Sequence, residues 1–194
     1  MTEHESKAHI LATALAVFAE KGFAKASMND IVRASGLSKG GVYWHFKSKD
    51  DLITAIFDQF FVEQLGLLDE VLVGEGTAVA KLTQLASFTG TGVEALATQF
   101  PTPLEFYALA AREDGLRTLL KEQFANYQQK VTNLVEEGIA NGEFRHVDSI
   151  SVAKTVIALF EGVLLLWAVA PELVDLSTQV ETAVQLLLEG LLAR

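Results

Sequence analysis

The spacing of apolar residues along the chain is that of α-helices almost throughout. Apolar side chains recur three or four positions apart, as in Leu116, Leu119, Leu120 and Phe124, and the sequence lacks the alternating apolar and polar runs that are typical of strands. Only three prolines interrupt the 194 residues. The pattern predicts an all-α protein of about nine helices.

Residues that favour helix ends set the predicted bounds. Thr2-x-x-Glu5, Ser27-x-x-Asp30 and Ser48-x-x-Asp51 have the spacing of capping boxes, and Thr102-Pro103-Leu104-Glu105 combines a cap with a first-turn proline. Glycines and prolines mark the helix ends. Together these signals predict helices over residues 3–21, 28–35, 39–46, 49 to near 74, 77–98, 103–112, 115–140, 149–170 and 175–192.

The first three predicted helices have the outline of a helix-turn-helix unit. The second and third are short and are joined by a tight turn that contains Gly36, while the first would brace them. The fourth helix begins after Ser48 and leads into the rest of the chain. We therefore expect a helix-turn-helix domain over residues 1–48 and a larger helical domain over residues 49–194.

Charge is distributed unevenly between these two parts. Residues 1–50 contain seven Lys or Arg and five Asp or Glu, a net charge of +2, whereas the remaining residues contain eight against twenty, a net charge of −12. Three of the four histidines also lie in the first fifty residues. A polyanion would be repelled by the acidic part and tolerated only at the N-terminal end.

Residues 155–170 are almost entirely apolar and allow two explanations. A membrane span needs about twenty apolar residues, and Glu161 in the middle, Lys154 before the run and Pro171 after it argue against one. A helix that is apolar on all sides must be buried on all sides. Together with the apolar stripe of the last helix, this predicts a subunit interface; the alternative is a hairpin buried within one protomer. The predicted interface residues are Val156, Phe160, Val163, Leu164, Trp167, Val180, Val184, Leu187 and Leu191.

The composition and motifs give no support to an enzyme. The absence of Cys excludes disulfides and thiolate catalysis and fits a reducing compartment, and the charged N-terminus lacks the apolar run of a signal peptide, so we expect a cytoplasmic protein. The sequence has no G-x-S-x-G, no phosphate-binding loop and no paired His and carboxylate site. No spacing suits a metal ligand set, so neither metal nor cofactor is expected.

Residues 10–52, "ILATALAVFAEKGFAKASMNDIVRASGLSKGGVYWHFKSKDDL", resemble the DNA-binding region of the TetR (tetracycline-repressor) family of bacterial regulators. The resemblance covers about a quarter of the chain. It is densest at "FAEKGF" (18–23), at the helix start from Ser27, and along Gly36, Lys39, Tyr43, His45 and Lys49. It implies a regulator that binds a palindromic operator in double-stranded DNA as a homodimer.

The resemblance and the chemistry of the residues indicate one DNA-binding set. Ser38 and Lys39 begin the third helix, where a recognition helix meets base edges or phosphate, and glycines there let the backbone approach closely. The later aromatic residues would contact phosphates. Tyr43 is alternatively a packing aromatic, and His45 a surface residue without a role. The family commonly has a small side chain where this chain has Gly41. The predicted set is Ser27, Ser38, Lys39, Gly40, Gly41, Tyr43, Trp44, His45 and Lys49.

The resemblance also implies that the C-terminal domain holds a ligand cavity whose occupation re-spaces the two DNA-binding domains. Rings mixed with amides and hydroxyls suit a lipophilic or aromatic small molecule. The predicted ligand contacts are Phe60, Gln64, Phe88, Phe106, Tyr107, Phe124, Tyr127, Gln128 and Trp167. The function expected is that of a repressor released by such a ligand. The alternatives are an activator, a regulator controlled by a partner protein, and a helical interaction module that does not bind DNA.

Overall fold

The computed structural model describes residues 2–87 and 103–193, and within them the chain is helical, which confirms the all-α prediction. An isolated antiparallel bridge pairs Phe144 with Leu192. The helices are α1 (Glu3–Lys25), α2 (Met28–Ser35), α3 (Lys39–His45), α4 (Lys49–Val73), α5 (described over 78–87), α6 (Pro103–Ala110), α7 (Asp114–Ala140), α8 (Ser149–Val169) and α9 (Leu176–Leu191).

Side chains cap the helices where the sequence predicts capping boxes. Thr2 and Glu5 form a reciprocal box at the start of α1, and Ser27 and Asp30 form one at α2. At α4 the Asp51 N–H donates to Ser48 Oγ at 3.0 Å, and the Ser48 N–H donates to the Asp51 carboxylate at 3.1 Å. Each box satisfies backbone N–H groups that lack partners within the helix. The box predicted at Thr102 lies outside the described residues.

Gly22 interrupts α1 at the residue where the sequence predicts its end. Its φ of 74° and ψ of 158° are not helical, and an L side chain rarely adopts this φ. The chain then makes one further turn, as far as Lys25, before Ser27 begins α2. The prediction therefore located the break, whereas the extra turn beyond it was not predicted.

The chain divides into two compact units. The first, here called the head unit, contains the chain up to Val62 together with α6 and the residues after it up to Leu119. The second, the body unit, runs from Glu63 and again from Leu120 to the C-terminus. The first half of α4 and all of α6 thus pack with the helix-turn-helix. The division into a helix-turn-helix domain over residues 1–48 and a larger helical domain over residues 49–194 stays a prediction.

The core of the body unit is built where α5, α7, α8 and α9 meet. Its buried members include Ala78, Leu134, Val135 and Phe144. Gly138 on α7 is buried beside Phe144, and a Cβ built there would lie 2.3 Å from Cδ2 of that ring and 2.9 Å from the Cβ of Ala78. The residue must therefore be a glycine for the turn that follows α7 to fold back onto the core.

We expect Gly138→Ala to lower the free energy of unfolding by about 1–3 kcal/mol, because the added methyl group overpacks the core against a buried ring. Chemical denaturation of the purified protein measures this change. Gly190→Ala is the matched control, since no atom lies within 4 Å of its Cβ position and α9 is helical there. Equal stability of the two variants would contradict this account of the core.

Candidate DNA-binding surface

The three N-terminal helices pack around a small apolar core. Ile10 and Phe18 of α1, Ile31 of α2 and Val42 of α3 are at most 1% exposed. The His9 imidazole donates from Nε2 to the Ser35 carbonyl at 3.0 Å and ties α1 to the end of α2. Because Val42 faces inward, the opposite side of α3 faces outward.

The outward side of α3 carries the predicted DNA contacts. Lys39 and Gly40 are exposed, Trp44 is 59% exposed, and Tyr43 and His45 are half-buried. The Lys39 ammonium lies 5.6 Å from the centre of the Tyr43 ring, four residues further on along the helix. Exposure of so large an indole, on a helix of seven residues that also carries the exposed Lys39, is typical of a contact surface.

Ser38 caps the N-terminal end of α3 through a bond with Gly41, the position at which a small side chain is expected in place of glycine. The Gly41 N–H donates to Ser38 Oγ at 3.1 Å. A Cβ at position 41 would approach that same oxygen to 3.3 Å, so a side chain there would press on the cap. Glycine leaves the cap undisturbed, and the Ser38 hydroxyl oxygen already accepts one bond before any phosphate is present.

Ser27 belongs to a network around Asp30. The Asp30 carboxylate accepts hydrogen bonds from the Lys21 ammonium at 2.7 Å and from the Ser27 hydroxyl at 2.6 Å, and it also pairs with Arg33. The bond from Lys21 and then those from Ser27 hold the pKa of the Asp30 carboxyl well below its usual range. The hydroxyl of Ser27 is thus already engaged within the head unit, and its contact with phosphate stays a prediction.

Lys49 and Glu105 hold the turn of residues 23–26 from opposite ends; we call this the capped turn. The Lys49 ammonium donates to the carbonyls of Phe23, at 2.7 Å, and of Ala26, at 3.2 Å. The Glu105 carboxylate of α6 accepts from the N–H of Phe23 at 3.4 Å and from that of Ala24 at 3.2 Å. Because Gly22 breaks α1, these N–H groups lie at the start of a new helical turn and need acceptors from elsewhere.

Aromatic rings continue the contact between the capped turn, α4 and α6. The Phe23 ring lies 6.2 Å from that of Phe57, which stacks on Phe106 at a centroid distance of 3.5 Å and an interplanar angle of 20°. Phe106 is therefore part of a packed cluster in the head unit. The sequence identified Glu105 only as a helix-start residue, since nothing local reveals a contact with residues more than eighty positions away.

The predicted ligand contacts are distributed over both units. Phe60, Phe106 and Tyr107 belong to the head unit, and Gln64, Trp167 and the α7 residues belong to the body unit. Phe88 lies outside the described residues. Within the body unit α7 brings three of them, Phe124, Tyr127 and Gln128, onto its half-buried side. Trp167 instead packs against a small cluster formed by Leu164 and Leu176.

Tyr127 lies in a negative and poorly solvated environment. Burial, and then the charge of Glu161 on α8, raise the pKa of its phenol to about 12. Glu161 is half-buried and lies in the middle of the most apolar helix. The phenol therefore keeps its proton across the physiological range and can serve as a hydrogen-bond donor or acceptor.

An apolar groove runs between α8 and α9. It is lined by Val156, Leu159, Phe160, Val163, Val180, Ala183, Val184 and Leu187. Six of the predicted interface residues line it, although Val180 among them is only 2% exposed; Leu164 and Leu191 are likewise buried within the body unit, at 8% and 3% exposure. Other apolar residues of α8, of α9 and of the turn between them are exposed in the protomer and were not among the predicted interface residues. They include Leu159, Leu165, Leu166, Val169, Leu173 and Leu186.

By length and composition alone, α8 is a helix that is able to cross a membrane, with a mean hydropathy of 2.0 in its most apolar window. Glu161 places a carboxylate in the middle of its apolar run, and one face of the helix lines the groove shared with α9. Among residues 2–87 and 103–193 there is no group of three or more His, Cys, Asp or Glu able to hold a metal ion.

A braced helix-turn-helix with an exposed recognition helix defines a DNA-binding transcriptional regulator. Residues 10–56 match the family described as bacterial regulatory proteins, tetR family, and residues 80–193 match the C-terminal domain of the BetI-type transcriptional repressors. The chain belongs to the TetR family of regulators, which bind DNA and are not enzymes.

Relatives and solved structures extend this similarity over most of the chain. The chain is 29% identical to the uncharacterized regulator YfiR of Bacillus subtilis, over 84% of this chain and 80% of that one, and 25% identical to the regulator AcrR of Shigella flexneri, over 95% and 88%. SmeT, the repressor of a multidrug efflux pump of Stenotrophomonas maltophilia, has the same fold. Its complex with triclosan superimposes with a TM-score of 0.81 at 23% identity, covering 97% of this chain and 92% of that one.

We expect Glu105→Ala to lower the free energy of unfolding by about 1–3 kcal/mol, because two backbone N–H groups of the capped turn lose their acceptor. Amide hydrogen exchange of Phe23 and Ala24 is expected to accelerate in the same variant. Glu113→Ala removes an exposed carboxylate of the same unit and is the control. Unchanged exchange at both amides would contradict the capping role.

We expect one of the three tyrosines to titrate near pH 12 in the folded protein, and Tyr127→Phe to remove that step from the ultraviolet absorbance titration. A raised pKa means that the phenol's contribution to stability is complete below its ordinary pKa of 10 and is lost as the pH rises from 10 towards 12. Glu161→Gln is expected to move the step to lower pH. Three tyrosines that all titrate near pH 10 would contradict the assignment.

Proposed function

We propose that this protein is a homodimeric transcriptional repressor that binds a palindromic operator and is released from it by a small lipophilic or aromatic ligand. The observation that carries the proposal is the exposed side of α3, where Lys39, Gly40 and Trp44 are presented by a packed three-helix core. That side has the residue types and the rigidity that direct readout of DNA requires.

The proposed docking places the N-terminal end of α3 in the major groove. Lys39 would meet guanine acceptors or a phosphate, and the glycines that follow it allow the backbone to come close. Tyr43, Trp44 and His45 would contact phosphates and fix the register. Residues 51–194, with a net charge of −12, would be repelled by the duplex, so that only the N-terminal helices dock.

The proposed dimer covers the groove between α8 and α9 with the same groove of a second copy. Leu165, Leu166 and Val169 are 50–66% exposed in the protomer, and an exposed apolar patch of this kind is typical of a surface that a partner covers. A two-fold contact of this kind places two heads on one operator, with half-sites about 34–36 Å apart. We propose this burial, in a cytoplasmic protein, instead of insertion of α8 into a membrane.

The proposed effector site lies in the body unit along α7. Phe124, Tyr127 and Gln128 combine rings with polar groups, as ligand sites usually do. A solved relative of the same fold, SmeT, is described in complex with triclosan, an aromatic phenol, which supports a ligand of that general kind. Occupation of the site would change the spacing of the two heads and so release the operator.

We expect Lys39→Ala and Trp44→Ala each to weaken binding to DNA from upstream of the protein's own gene by about tenfold, which is about 1.4 kcal/mol, because each removes a proposed contact with the duplex. Gel-shift titrations at two salt concentrations measure the loss. Lys121→Ala removes an equally exposed lysine from the body and should leave affinity unchanged. Light scattering and circular dichroism should report an intact dimer and fold in all three variants. Wild-type affinity in both α3 variants would overturn the proposed function.

A further inference from the structure

A buried amide on α7 has an oxygen without a partner. Gln123 is only 7% exposed, and within the described part of the chain its Oε1 accepts no hydrogen bond. A buried carbonyl in this condition costs about 1–3 kcal/mol relative to a bonded one, so it is retained only where something offsets the cost. Gln128 was among the predicted ligand contacts and Gln123 was not, because the burial of a residue cannot be predicted from its type alone.

The inward face of α7 changes character along its length. Its C-terminal half contributes Val131, Leu134 and Val135 to the core of the body unit. One and two turns earlier, the same face carries Tyr127 and Gln123 at the four-residue spacing that aligns side chains on a helix. This face is apolar at its C-terminal end and carries an amide and a phenol towards its N-terminal end. Such a combination suits a ligand that is mostly apolar but has a polar group.

The charges near this end of α7 favour a donor over an acceptor. Glu161 acts on the Tyr127 phenol strongly enough to help keep it protonated, so the local field is negative. A ligand hydroxyl or N–H, whose hydrogen is partly positive, is stabilised by that field, and it is also the group that a carbonyl oxygen accepts from.

We propose that Gln123 Oε1 is the hydrogen-bond acceptor for a hydroxyl or N–H group of the effector, so that the effectors are lipophilic molecules that carry such a donor. The inference rests on the proposed ligand-regulated function and specifies the ligand class. Discrimination is expected because a site with a buried acceptor binds an analogue without the donor poorly, since the acceptor is then left unpaired.

Thr132 provides an internal comparison. Its hydroxyl is also buried without a partner, at 5% exposure. It lies nine residues beyond Gln123 on α7, which places it about 180° around the helix and away from the face that carries Tyr127. Thr132→Val therefore removes a buried polar group of the same helix and leaves the Gln123 acceptor in place.

The test measures binding of two phenols, triclosan and 4-phenylphenol, and of their O-methyl ethers to the full-length protein by calorimetry. The wild type is expected to bind at least one phenol about tenfold more tightly than its ether, and Gln123→Met to abolish this preference by weakening the phenol alone. Thr132→Val should keep the preference. Without ligand, both variants should raise Tm by about 2–4 °C, because each removes an unsatisfied group.

The inference is overturned if neither phenol is preferred over its ether, if neither binds, or if Gln123→Met keeps the preference. A lower Tm for Gln123→Met would also overturn it, since the amide would then be bonded in the ligand-free protein. Operator binding is measured separately by gel shift. Phenol binding that depends on Gln123 but leaves the protein on its operator would support the Gln123 contact and contradict the proposed release mechanism. The absence of any operator complex would contradict the proposed function itself.

Discussion

The presentation of α3 depends on the capped turn that follows Gly22. Once α1 is broken there, the next turn has N–H groups and carbonyls without partners in the helix, and its ends are closed by Glu105 and Lys49. This turn leads directly into the cap of α2, so its position sets the helix-turn-helix. Because Glu105 lies on α6 and Lys49 begins α4, the same bonds tie α6 and the first half of α4 to the capped turn within the head unit.

The head unit and the body unit differ in which charged and apolar residues they leave exposed. In the head unit the Asp30 carboxylate is paired with Lys21, Ser27 and Arg33, whereas Lys39 and Trp44 are exposed on α3. In the body, apolar residues are in excess, and α8 and α9 leave a groove and several leucines uncovered. The exposed side of α3 suits binding of a polyanion, and the uncovered groove between α8 and α9 suits binding of a second copy of the chain.

Features with local causes could be predicted from the sequence. The capping boxes at Thr2, Ser27 and Ser48 appear because a hydroxyl and a carboxylate three residues apart suffice to form them. Features that depend on packing could not be predicted from the sequence. The contact of Glu105 with Phe23 joins residues 82 positions apart, and the burial of Gln123 depends on neighbours that the spacing of apolar residues does not reveal. For Lys49, a predicted phosphate contact, the structure adds two carbonyl partners that only the fold brings within reach.

The central claim is that two copies of α3, held by one dimer, read two half-sites on the same face of the duplex. The most direct measurement selects the preferred site from random DNA, determines the mass of the complex by sedimentation, and repeats the binding with five base pairs inserted at the centre, about half a helical turn. The account predicts a site with two-fold symmetry, an even number of chains per site, and loss of binding on insertion. An asymmetric site bound by a single chain, with affinity unaffected by the insertion, would contradict it.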